Sequence, residues 1–236
     1  MSGMESLIAQ GLAELGLDTG KAPLLARYGQ LLLEKNQVMN LTAITEPDQV
    51  ARLHMLDCAA LSGCAEFSGK SLIDVGTGAG FPGLVLKIME PALELTLLDS
   101  LGKRLNWLAK VCADLGIEGV HFVHARAEEQ ALDPAFREQF DFATARAVAS
   151  MNTLSEICLP YVKVGGRFLA MKSVDSTGEV DAAGSAVAKL GGKLEKRYDY
   201  VIPGTDVRHR VIPISKIAST PQNYPRRWAK IQKSPL

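Results

Sequence analysis

Across residues 4–65, apolar side chains recur at the spacing of helix faces. Leu7 and Leu12 begin this pattern, and a second amphipathic segment covers residues 24–33. A third segment runs from about 47 to 61. Because residues three and four apart lie on one face of a helix, this spacing predicts a group of amphipathic helices rather than strands.

From Ser71 onward the pattern changes, because short apolar runs of strand length alternate with longer amphipathic stretches. The short runs predict strands at 71–76, 94–99, 120–125, 140–146 and 166–172. The longer stretches predict helices at 82–90, 102–115, 150–162 and about 178–190. Strands that alternate with helices are typical of a parallel sheet with helices on both faces.

The end of this region has a different pattern. Two alternating runs, 194–203 and 208–217, flank the turn-forming sequence Pro203-Gly204-Thr205-Asp206, which predicts an antiparallel hairpin. Five parallel strands followed by this hairpin predict an α/β fold with a seven-stranded, mostly parallel sheet. We expect the hairpin at one edge of that sheet.

Charge is distributed unevenly along a chain whose formal net charge is zero. Residues 1–69 carry four basic and eight acidic side chains, and residues 70–217 carry eighteen of each. Residues 218–236 carry four basic side chains and no acidic ones. We therefore divide the chain into a helical N-terminal extension (1–69), an α/β domain (70–217) and a basic C-terminal tail (218–236). The zero net charge predicts no overall attraction to nucleic acid or to a membrane.

The sequence shows neither a targeting segment nor a membrane span. Glu5 stands where a signal peptide would carry a basic segment, and no apolar run approaches membrane-spanning length. A cytoplasmic protein without a membrane partner is expected. The four cysteines are Cys58, Cys64, Cys112 and Cys158. They lack the paired spacing of metal ligands and the density of a disulfide framework, so buried thiols and no metal site are predicted.

Residues 71–83, SLIDVGTGAGFPG, join an apolar strand to an apolar helix through a glycine-rich loop. Gly76, Gly78 and Gly80 allow the backbone to take positive φ angles and to approach a ligand closely. Pro82 suits the first turn of the following helix, whose free N–H groups would face the same ligand. This segment is therefore a candidate cofactor-binding loop.

Three interpretations of the loop remain open from these residues alone. The spacing Gly78-x-Gly80-x-x-Gly83, with Asp99 after the next strand, fits the dinucleotide fingerprint. Asp74 favours S-adenosylmethionine instead, because its carboxylate would repel a pyrophosphate and attract a cationic amino group and a sulfonium. In the third interpretation the glycines serve close packing alone, and Asp74 is a helix-cap partner.

Residues that follow the predicted strands are further candidates, because ligands of such sheets bind at the carboxyl ends of the strands. Asp99 is placed to accept from both ribose hydroxyls, or else to cap the next helix. The backbone of Ala127 and the side chain of Glu128 are placed to meet an adenine edge. Arg146 is the predicted catalytic residue, which binds the methionine carboxylate or donates to a substrate carbonyl. The alternative is an ion pair of Arg146 with Asp74 or Asp99.

A second group of residues is predicted to bind substrate. Asn40 lies in a connection between helices, where it contacts substrate or forms a turn. Lys172 ends the fifth predicted strand and is a further candidate donor. Arg208 on the hairpin, with Arg226 and Arg227 in the tail, is expected to neutralise phosphates; alternatively, the tail is disordered and has no role.

Two aromatic tail residues and one helical pair complete the candidates. Tyr224 and Trp228 in the tail could stack on nucleic-acid bases. His54 and Asp57 are spaced one helical turn apart, which predicts either a charged pair near the site or a solvent-facing pair.

Two absent motifs restrict the chemistry. The fourth strand is not followed by the Asp/Asn-Pro-Pro-aromatic pattern of amino-group methylases, and no cysteine follows a proline as in pyrimidine carbon-5 enzymes. A covalent thiolate is therefore not expected. A nucleophile with a free lone pair, such as guanine N7, would need only in-line placement beside an activated methyl group.

Five segments together resemble one protein family. They are DVGTGAGFPG (74–83), LLDSLGKR (97–104), RAEE (126–129), TARA (144–147) and NLT (40–42). In combination they resemble the bacterial ribosomal RNA small subunit methyltransferase G family, also called glucose-inhibited division protein B, from about residue 25 to residue 217. The resemblance implies a class I, Rossmann-like methyltransferase that uses S-adenosylmethionine to methylate N7 of a guanine in 16S ribosomal RNA.

The resemblance also implies which residues form the site. Gly76, Phe81, Ala127, Glu128 and Arg146 would line the cofactor pocket within residues 70–217. The partner would be 16S ribosomal RNA, free or in the small ribosomal subunit, and we expect a monomer. A nicotinamide-dependent oxidoreductase and a non-catalytic RNA-binding protein are the alternatives that the residues leave open.

Overall fold

Helices and strands alternate along the chain largely as the apolar pattern predicts. The computed structural model describes residues 3–146 and 149–236, so Ala147 of the TARA motif lies outside the described residues. The α-helices are α1 (Gly3–Glu14), α2 (Ala22–Met39), α3 (Pro47–Val50), α4 (Asp57–Ala59), α5 (Gly83–Met89), α6 (Gly102–Leu115), α7 (Ala127–Gln130), α8 (Met151–Cys158), α9 (Thr177–Ala182), α10 (Gly184–Lys189) and α11 (Trp228–Lys233). The strands are β1 (Ser71–Val75), β2 (Glu94–Asp99), β3 (Val120–His124), β4 (Phe140–Arg146), β5 (Val162–Ser173), β6 (Gly192–Leu194), β7 (Tyr198–Val201) and β8 (Arg208–Lys216). A π-helical segment, Ala51–Leu56, joins α3 to α4.

The strands form one sheet in the order β3-β2-β1-β4-β5-β8-β6, and β7 also pairs with β8. The pairs from β3 through β5 are parallel, whereas β8 is antiparallel to β5, β6 and β7. The predicted mostly parallel sheet with a terminal antiparallel hairpin is therefore confirmed. The order in which the chain adds strands to the sheet reverses between β1 and β4, which are parallel neighbours. Ligands of such sheets bind in the crevice at the carboxyl ends of these strands.

The outer arm of the hairpin is split, so that eight strands occupy the seven positions of the predicted sheet. β6 ends at Leu194 and β7 begins at Tyr198, and their partners on β8 are Ile214 and Val211. Between these two pairs, the outer arm has three residues (195–197), whereas β8 has two (212 and 213). β8 also carries Pro213 there, which has no N–H to donate, so the ladder is interrupted.

The first helices share one apolar core with the sheet. Ile8, Leu25 and Leu56 pack in the same cluster as Leu72 of β1 and Leu84 of α5. Burial of these side chains holds the N-terminal helices against one face of the sheet. The connection after α2 consequently reaches the crevice at the carboxyl ends of the strands.

The C-terminal tail packs on the opposite face. Ile231 of α11 is fully buried in the same cluster as Leu154 of α8. Arg137 donates to three tail carbonyl oxygens at 2.7, 2.9 and 3.2 Å. Arg226 donates to both carboxylate oxygens of the fully buried Glu156 at 2.7 and 2.5 Å. The tail is therefore an ordered part of the fold, not the disordered segment of the alternative interpretation.

Three further features are membrane-spanning helices, groups of metal-ligating side chains and the cysteine thiols. Within residues 3–146 and 149–236, no helix combines the length and the apolarity needed to cross a membrane. The same residues contain no group of three or more His, Cys, Asp or Glu side chains arranged to hold a metal ion. The cysteines are free thiols, and Cys58, Cys112 and Cys158 are buried. Burial raises the pKa of Cys112 to about 11, so that this side chain is a protonated thiol at neutral pH.

Candidate functional site

The loop after β1 lies at the centre of the crevice. The N–H of Gly76 donates to the carbonyl oxygen of Leu98 on β2 at 2.9 Å, which holds the loop against the neighbouring strand. Gly80 has a φ angle of 91° and lies beside Tyr28 of α2, whose hydroxyl donates to the carbonyl oxygen of Ala79. A side chain at Gly80 would collide with this hydroxyl, so close packing and backbone angle both require glycine there.

Asp74 is buried beneath the loop and does not face the crevice. Its side chain is 0% exposed, and its Oδ2 accepts from the hydroxyl of Thr77 at 2.7 Å and from the N–H of Gly83 at 3.0 Å. Burial raises the pKa of Asp74 to about 6. This position corrects the hypothesis that the Asp74 carboxylate meets a cationic ligand directly. Asp74 instead shapes the junction of strand, loop and helix, as in the helix-cap interpretation.

A first cavity, of about 350 Å³, opens beside the loop at the carboxyl ends of β1, β2 and β3. Its lining consists of Val75, Gly76, Leu98, Asp99, Ser100, Arg104, Ala125, Arg126, Ala127, Glu128, Ile157 and Trp228. Apolar walls therefore surround two carboxylates, those of Asp99 and Glu128, and two guanidinium groups, those of Arg104 and Arg126. This combination suits a nucleoside, because a heterocyclic base needs apolar surfaces and its hydroxyl and amino groups need acceptors.

Asp99 is held rigidly at the edge of the first cavity. It is 3% exposed, and its Oδ2 accepts from the N–H of Gly78 at 2.8 Å and lies 3.5 Å from Nη1 of Arg104. Its Oδ1 accepts from the N–H of Leu101 at 2.8 Å, just before α6. This bond closes a two-residue turn before α6, whose N-cap residue is Leu101, so the helix-cap interpretation of Asp99 is not what the structure has. Asp99 lines the cavity, and its contact with ribose hydroxyls stays a proposal.

Ala127 and Glu128 lie together at the start of α7 and line the first cavity. The carbonyl oxygen of Ala127 accepts from the hydroxyl of Tyr161 at 2.6 Å. Glu128 is 5% exposed, and its Oε1 accepts from Nε of Arg126 at 2.7 Å. The ion pair orients a carboxylate at the cavity wall, whereas a freely solvated glutamate would have no fixed position.

A second cavity, of about 290 Å³, lies on the other side of the loop. Its lining consists of Leu41, Thr42, His54, Gly76, Thr77, Gly78, Ala79, Phe81, Arg104 and Arg146. Gly76 and Arg104 line both cavities. The two cavities are therefore adjacent across a glycine that has no side chain to separate them.

Arg146 ends β4 at the wall of the second cavity. Its Nη1 donates to Oδ2 of Asp57 at 3.2 Å and to the carbonyl oxygen of Leu53 at 3.1 Å, and its Nη2 donates to Nδ1 of His54 at 2.9 Å. The guanidinium carbon lies 4.9 Å from the ring centroid of Phe81. The expected ion-pair partners Asp74 and Asp99 are thus replaced by Asp57, which the sequence had only paired with His54.

Asp57 connects the N-terminal helices to the terminal hairpin. It is fully buried, and its Oδ1 accepts from Nδ1 of His209 and from the hydroxyl of Tyr200, each at 2.7 Å. Burial acts to raise the pKa of Asp57, but the hydrogen bond and charge of His209, together with the charge of Arg146, hold it below its usual value. Asp57 therefore remains a carboxylate, and its Oδ2 holds the guanidinium of Arg146 in position.

His54 connects Arg146 to Thr42 through two hydrogen bonds. It lies in the π-helical segment, stacked on Phe81 with centroids 4.7 Å apart. Burial, followed by the charge of Arg146, lowers the pKa of His54 to about 4, so the ring is neutral at neutral pH. Because Nδ1 accepts from Arg146, the ring hydrogen is assigned to Nε2, which donates to Oγ1 of Thr42 at 2.8 Å.

The turn that carries Thr42 depends on a residue that the sequence analysis missed. Oδ1 of Asn36 accepts from the N–H of Leu41 at 2.7 Å and from the N–H of Thr42 at 3.0 Å. Asn40 is exposed, ends α2 and has a φ angle of 23°. This geometry matches the turn-forming interpretation of Asn40, and direct contact with substrate stays a proposal. Asn36 is the first residue of the predicted connection and lies four residues before Asn40, and this second asparagine was the available signal.

Two of the basic residues proposed for substrate have intramolecular partners instead. Nζ of Lys172 donates to the carbonyl oxygen of Ala149 and to Oε1 of Glu179, each at 2.8 Å. Arg226 is engaged by Glu156. These bonds give both cations a structural role within the fold, and contact of either with substrate stays a proposal. Arg208 is exposed at the start of β8. Arg227, also exposed, lines a separate cavity of about 260 Å³.

Comparison with known proteins identifies similar sequences over most of the chain. A family model described as rRNA small subunit methyltransferase G matches residues 21–200. A ribosomal RNA small subunit methyltransferase G of Clostridium perfringens is 47% identical over 89% of this chain and 88% of its own length. The protein of the same name from Alkaliphilus metalliredigens is 44% identical over 99% of this chain and 100% of its own.

Solved structures with the same fold have much lower sequence identity. The YcgJ protein from Bacillus subtilis matches with a TM-score of 0.54 at 15% identity, over 70% of this chain and 100% of that one. M. jannaschii TYW2 in complex with AdoMet matches with a TM-score of 0.53 at 13% identity, over 68% and 75% of the two chains. At such identities the likeness concerns the fold alone, and it confirms the predicted Rossmann-like α/β class.

Proposed function

The chain belongs to the rRNA small subunit methyltransferase G family, and from that premise we propose that it transfers the methyl group of S-adenosylmethionine to N7 of a guanine in 16S ribosomal RNA. The observation that carries the proposal is the meeting of two cavities at Gly76. Asp99 and Glu128 supply acceptors to the first cavity, whereas Thr42 and Arg146 supply donors to the second. The first suits a nucleoside cofactor, and the second suits a base edge that is rich in acceptors.

The residues of the first cavity fit the adenosine part of S-adenosylmethionine. The Asp99 carboxylate can accept from ribose hydroxyls, and the Glu128 carboxylate can accept from an adenine amino group. Val75, Leu98 and Ile157 provide apolar surface for the base. When bound, the cofactor supplies a methyl group that is already activated by a sulfonium, so the nucleophile needs a lone pair and correct placement.

Thr42 and Arg146 can place guanine by its O6 atom. His54 donates to the Thr42 oxygen, as does the N–H of Ile44 at 3.1 Å, so the hydroxyl hydrogen is free to point into the second cavity. The hydrogen bonds of Arg146 to protein acceptors leave other N–H groups of the guanidinium available. Donors that bind O6 leave the neighbouring N7 lone pair free to accept the methyl group. Adenine carries an amino group at that position and would place a donor against donors.

Replacement of Thr42 by valine is expected to lower kcat/KM for 16S ribosomal RNA by roughly 100-fold, because the shape is kept and the hydroxyl donor is lost. Thr42→Ser, which keeps the hydroxyl, is the matched control and should retain most of the activity. Steady-state methyl transfer, together with a melting curve for each variant, makes the comparison. Equal kcat/KM for the valine variant and the wild type would remove Thr42 from substrate binding.

A groove of about 230 Å³ beside the second cavity can receive the RNA backbone. It is lined by Lys35 and Met39 of α2 and by Lys103, Trp107 and Lys110 of α6, with Asn106 between them. The three ammonium groups have no ion-pair or hydrogen-bond partner in the part of the chain that the structure describes. Met39 leads directly into the turn that carries Thr42. We therefore place the phosphates that flank the target guanine along this groove.

Simultaneous replacement of Lys35, Lys103 and Lys110 by glutamine is expected to raise KM for the RNA roughly tenfold at physiological salt. The slope of log affinity against log salt should fall by about 2, because each lost phosphate contact on a single strand removes about 0.7. Affinity for S-adenosylmethionine should not change. The matched control is glutamine at Lys189, Lys193 and Lys196, which are exposed near β6. If the two triple variants have equal slopes of log affinity against log salt, the RNA backbone does not bind in this groove.

Two further parts of the proposal concern location and assembly. We place the protein in the cytoplasm, where ribosomal RNA is the partner. We also propose that it acts as a monomer, because residues of one chain line both cavities. The division into an N-terminal helical extension (1–69), a cofactor-binding domain (70–217) and a C-terminal tail (218–236) remains part of the same proposal.

The experiment that tests the function measures methyl transfer from S-adenosylmethionine carrying a radiolabelled methyl group to 16S ribosomal RNA, offered free or in the small subunit. Incorporation into either substrate is expected. Calorimetry with S-adenosylmethionine and with NADH separates the alternatives: heat with NADH alone would favour an oxidoreductase. Binding of RNA without incorporation would favour a non-catalytic RNA-binding protein.

A further inference from the structure

The C-terminal tail reaches the first cavity through Trp228. This residue begins α11 and lines the cavity together with Val75, Asp99 and Glu128. The guanidinium carbon of Arg126 lies 6.0 Å from the Trp228 ring centroid, which indicates a cation–π contact on that ring. The sequence analysis had assigned Trp228 to base stacking on RNA. In the structure the indole instead forms part of the wall behind the loop.

The tail segment that carries Trp228 is anchored on both sides of this residue. Before it, Arg226 forms its two-bonded ion pair with the fully buried Glu156. After it, Ile231 is fully buried in the apolar cluster under α8. Arg137 holds the preceding chain by the carbonyl oxygens of Thr220 and Tyr224. Trp228 is partly buried and packs against the edge of the same apolar cluster. The ion pair of Arg226, the buried Ile231 and the bonds from Arg137 do not involve its side chain, so these anchors should keep the tail in place when Trp228 is replaced.

We propose that Trp228 binds the adenine ring of the cofactor and closes the adenosine end of the first cavity. The inference rests on the proposed function and extends it to a residue outside the glycine loop. A flat indole beside Val75 and Ile157 gives an adenine ring an aromatic surface, while Glu128 offers its amino group an acceptor. A base of the RNA is the less favoured occupant, because the two arginines that line this cavity, Arg104 and Arg126, are paired with Asp99 and Glu128. The lining therefore offers no net positive charge to a phosphate backbone.

Calorimetry on the full-length chain tests the proposal. Trp228→Ala is expected to raise the Kd for S-adenosylmethionine and for S-adenosylhomocysteine at least tenfold, the loss expected for one base–aromatic stack. Trp228→Phe, which keeps an aromatic ring, should raise it less. KM for the RNA should be unchanged in both variants at saturating cofactor. Melting curves establish that each variant is folded, as the anchors of the tail predict.

Fluorescence supplies a second readout, because the chain has two tryptophans. Trp107 is 7% exposed and lies beside Tyr28, with ring centroids 6.5 Å apart, and it does not line the first cavity. In Trp107→Phe, addition of S-adenosylhomocysteine should change the emission of the remaining Trp228. In Trp228→Phe, the same addition should leave the emission of Trp107 nearly constant.

The outcomes separate this inference from the function on which it rests. Wild-type affinity of Trp228→Ala for S-adenosylmethionine, with constant emission in Trp107→Phe, would overturn the role of Trp228 and leave the methyltransferase intact. A higher KM for RNA with unchanged cofactor affinity would assign Trp228 to the RNA instead. Absence of cofactor binding by the wild-type protein would contradict the proposed function itself.

Discussion

Arg146→Ala is expected to reduce the single-turnover rate of methyl transfer by roughly a thousandfold, the size of effect seen when one preorganised donor is removed from an active site. The guanidinium lies at the wall of the second cavity, and it fixes the tautomer of His54 that frees the hydroxyl of Thr42. One substitution therefore removes one donor and disorders another. The rate is measured at saturating cofactor and RNA, so that weaker binding does not obscure it.

The same substitution is expected to destabilise the fold by about 3 kcal/mol, because the buried Asp57 loses its ion pair with Arg146 and keeps only its hydrogen bonds with Tyr200 and His209. Lys87→Met is the control for this effect. Lys87 is 5% exposed and donates to the carbonyl oxygens of Pro91 and Leu93, near the amino end of β2 and outside both cavities. The Lys87→Met variant should have a lower free energy of unfolding, and below its melting temperature it should transfer methyl groups at the wild-type rate. Wild-type turnover by a folded Arg146→Ala variant would remove Arg146 from the mechanism.

Asp99→Asn is expected to raise the Kd for S-adenosylmethionine by roughly 100-fold, because hydrogen bonds to charged groups contribute about 1.5–3 kcal/mol each. An asparagine side chain has one acceptor oxygen and one amide donor. That donor would face the N–H groups of Gly78 and Leu101 or the guanidinium of Arg104, all of which now point at the carboxylate. Titration calorimetry of the folded variant measures the change.

A second aspartate provides a matched control for the turn that Asp99 closes before α6. Oδ1 of Asp133 accepts from the N–H of Ala135 at 2.9 Å, which is the same two-residue spacing as the bond from Asp99 to Leu101. Asp133 is exposed and lines neither cavity. Asp133→Asn should leave cofactor affinity unchanged. If Asp99→Asn loses stability but binds cofactor like the wild type, Asp99 only supports the turn before α6 and the glycine loop.

Local sequence was sufficient to predict the parts of the site that depend on neighbouring residues. The apolar runs of β1 and β2 locate the glycine loop and Asp99 at the same edge of the sheet, because parallel strands end together. Arg146 and Glu128 follow from the same rule. These predictions need only the order of strands and loops, which alternation of apolar and polar residues shows directly.

Partners that are distant along the chain could not be predicted in this way. Arg146 and Asp57 are 89 residues apart, and Asp57 and His209 are 152 residues apart. Their meeting requires that the N-terminal helices, β4 and the hairpin pack together, and no spacing in the sequence records that packing. The same reason explains why Arg226 was assigned to RNA, since its partner Glu156 lies 70 residues away.

Asp74 shows a different limit of sequence reasoning. Its place at the end of β1 was predicted correctly, and its charge suggested a cationic ligand. In the structure the loop folds over the carboxylate, so that Thr77 and Gly83 donate to it in place of a ligand. Whether an acid at a strand end faces a ligand or supports a loop depends on the path of the following residues, which the residue types do not determine.

Chemical mapping of 16S ribosomal RNA after reaction with the protein and S-adenosylmethionine tests the central claim most directly. Reduction followed by aniline treatment breaks the chain at 7-methylguanosine, so the position and the modified atom are identified together. The account predicts one scission at a guanine, which requires both protein and cofactor and is lost with Arg146→Ala. Methyl incorporation without scission at any guanine, or no incorporation by a protein that binds the cofactor, would contradict it.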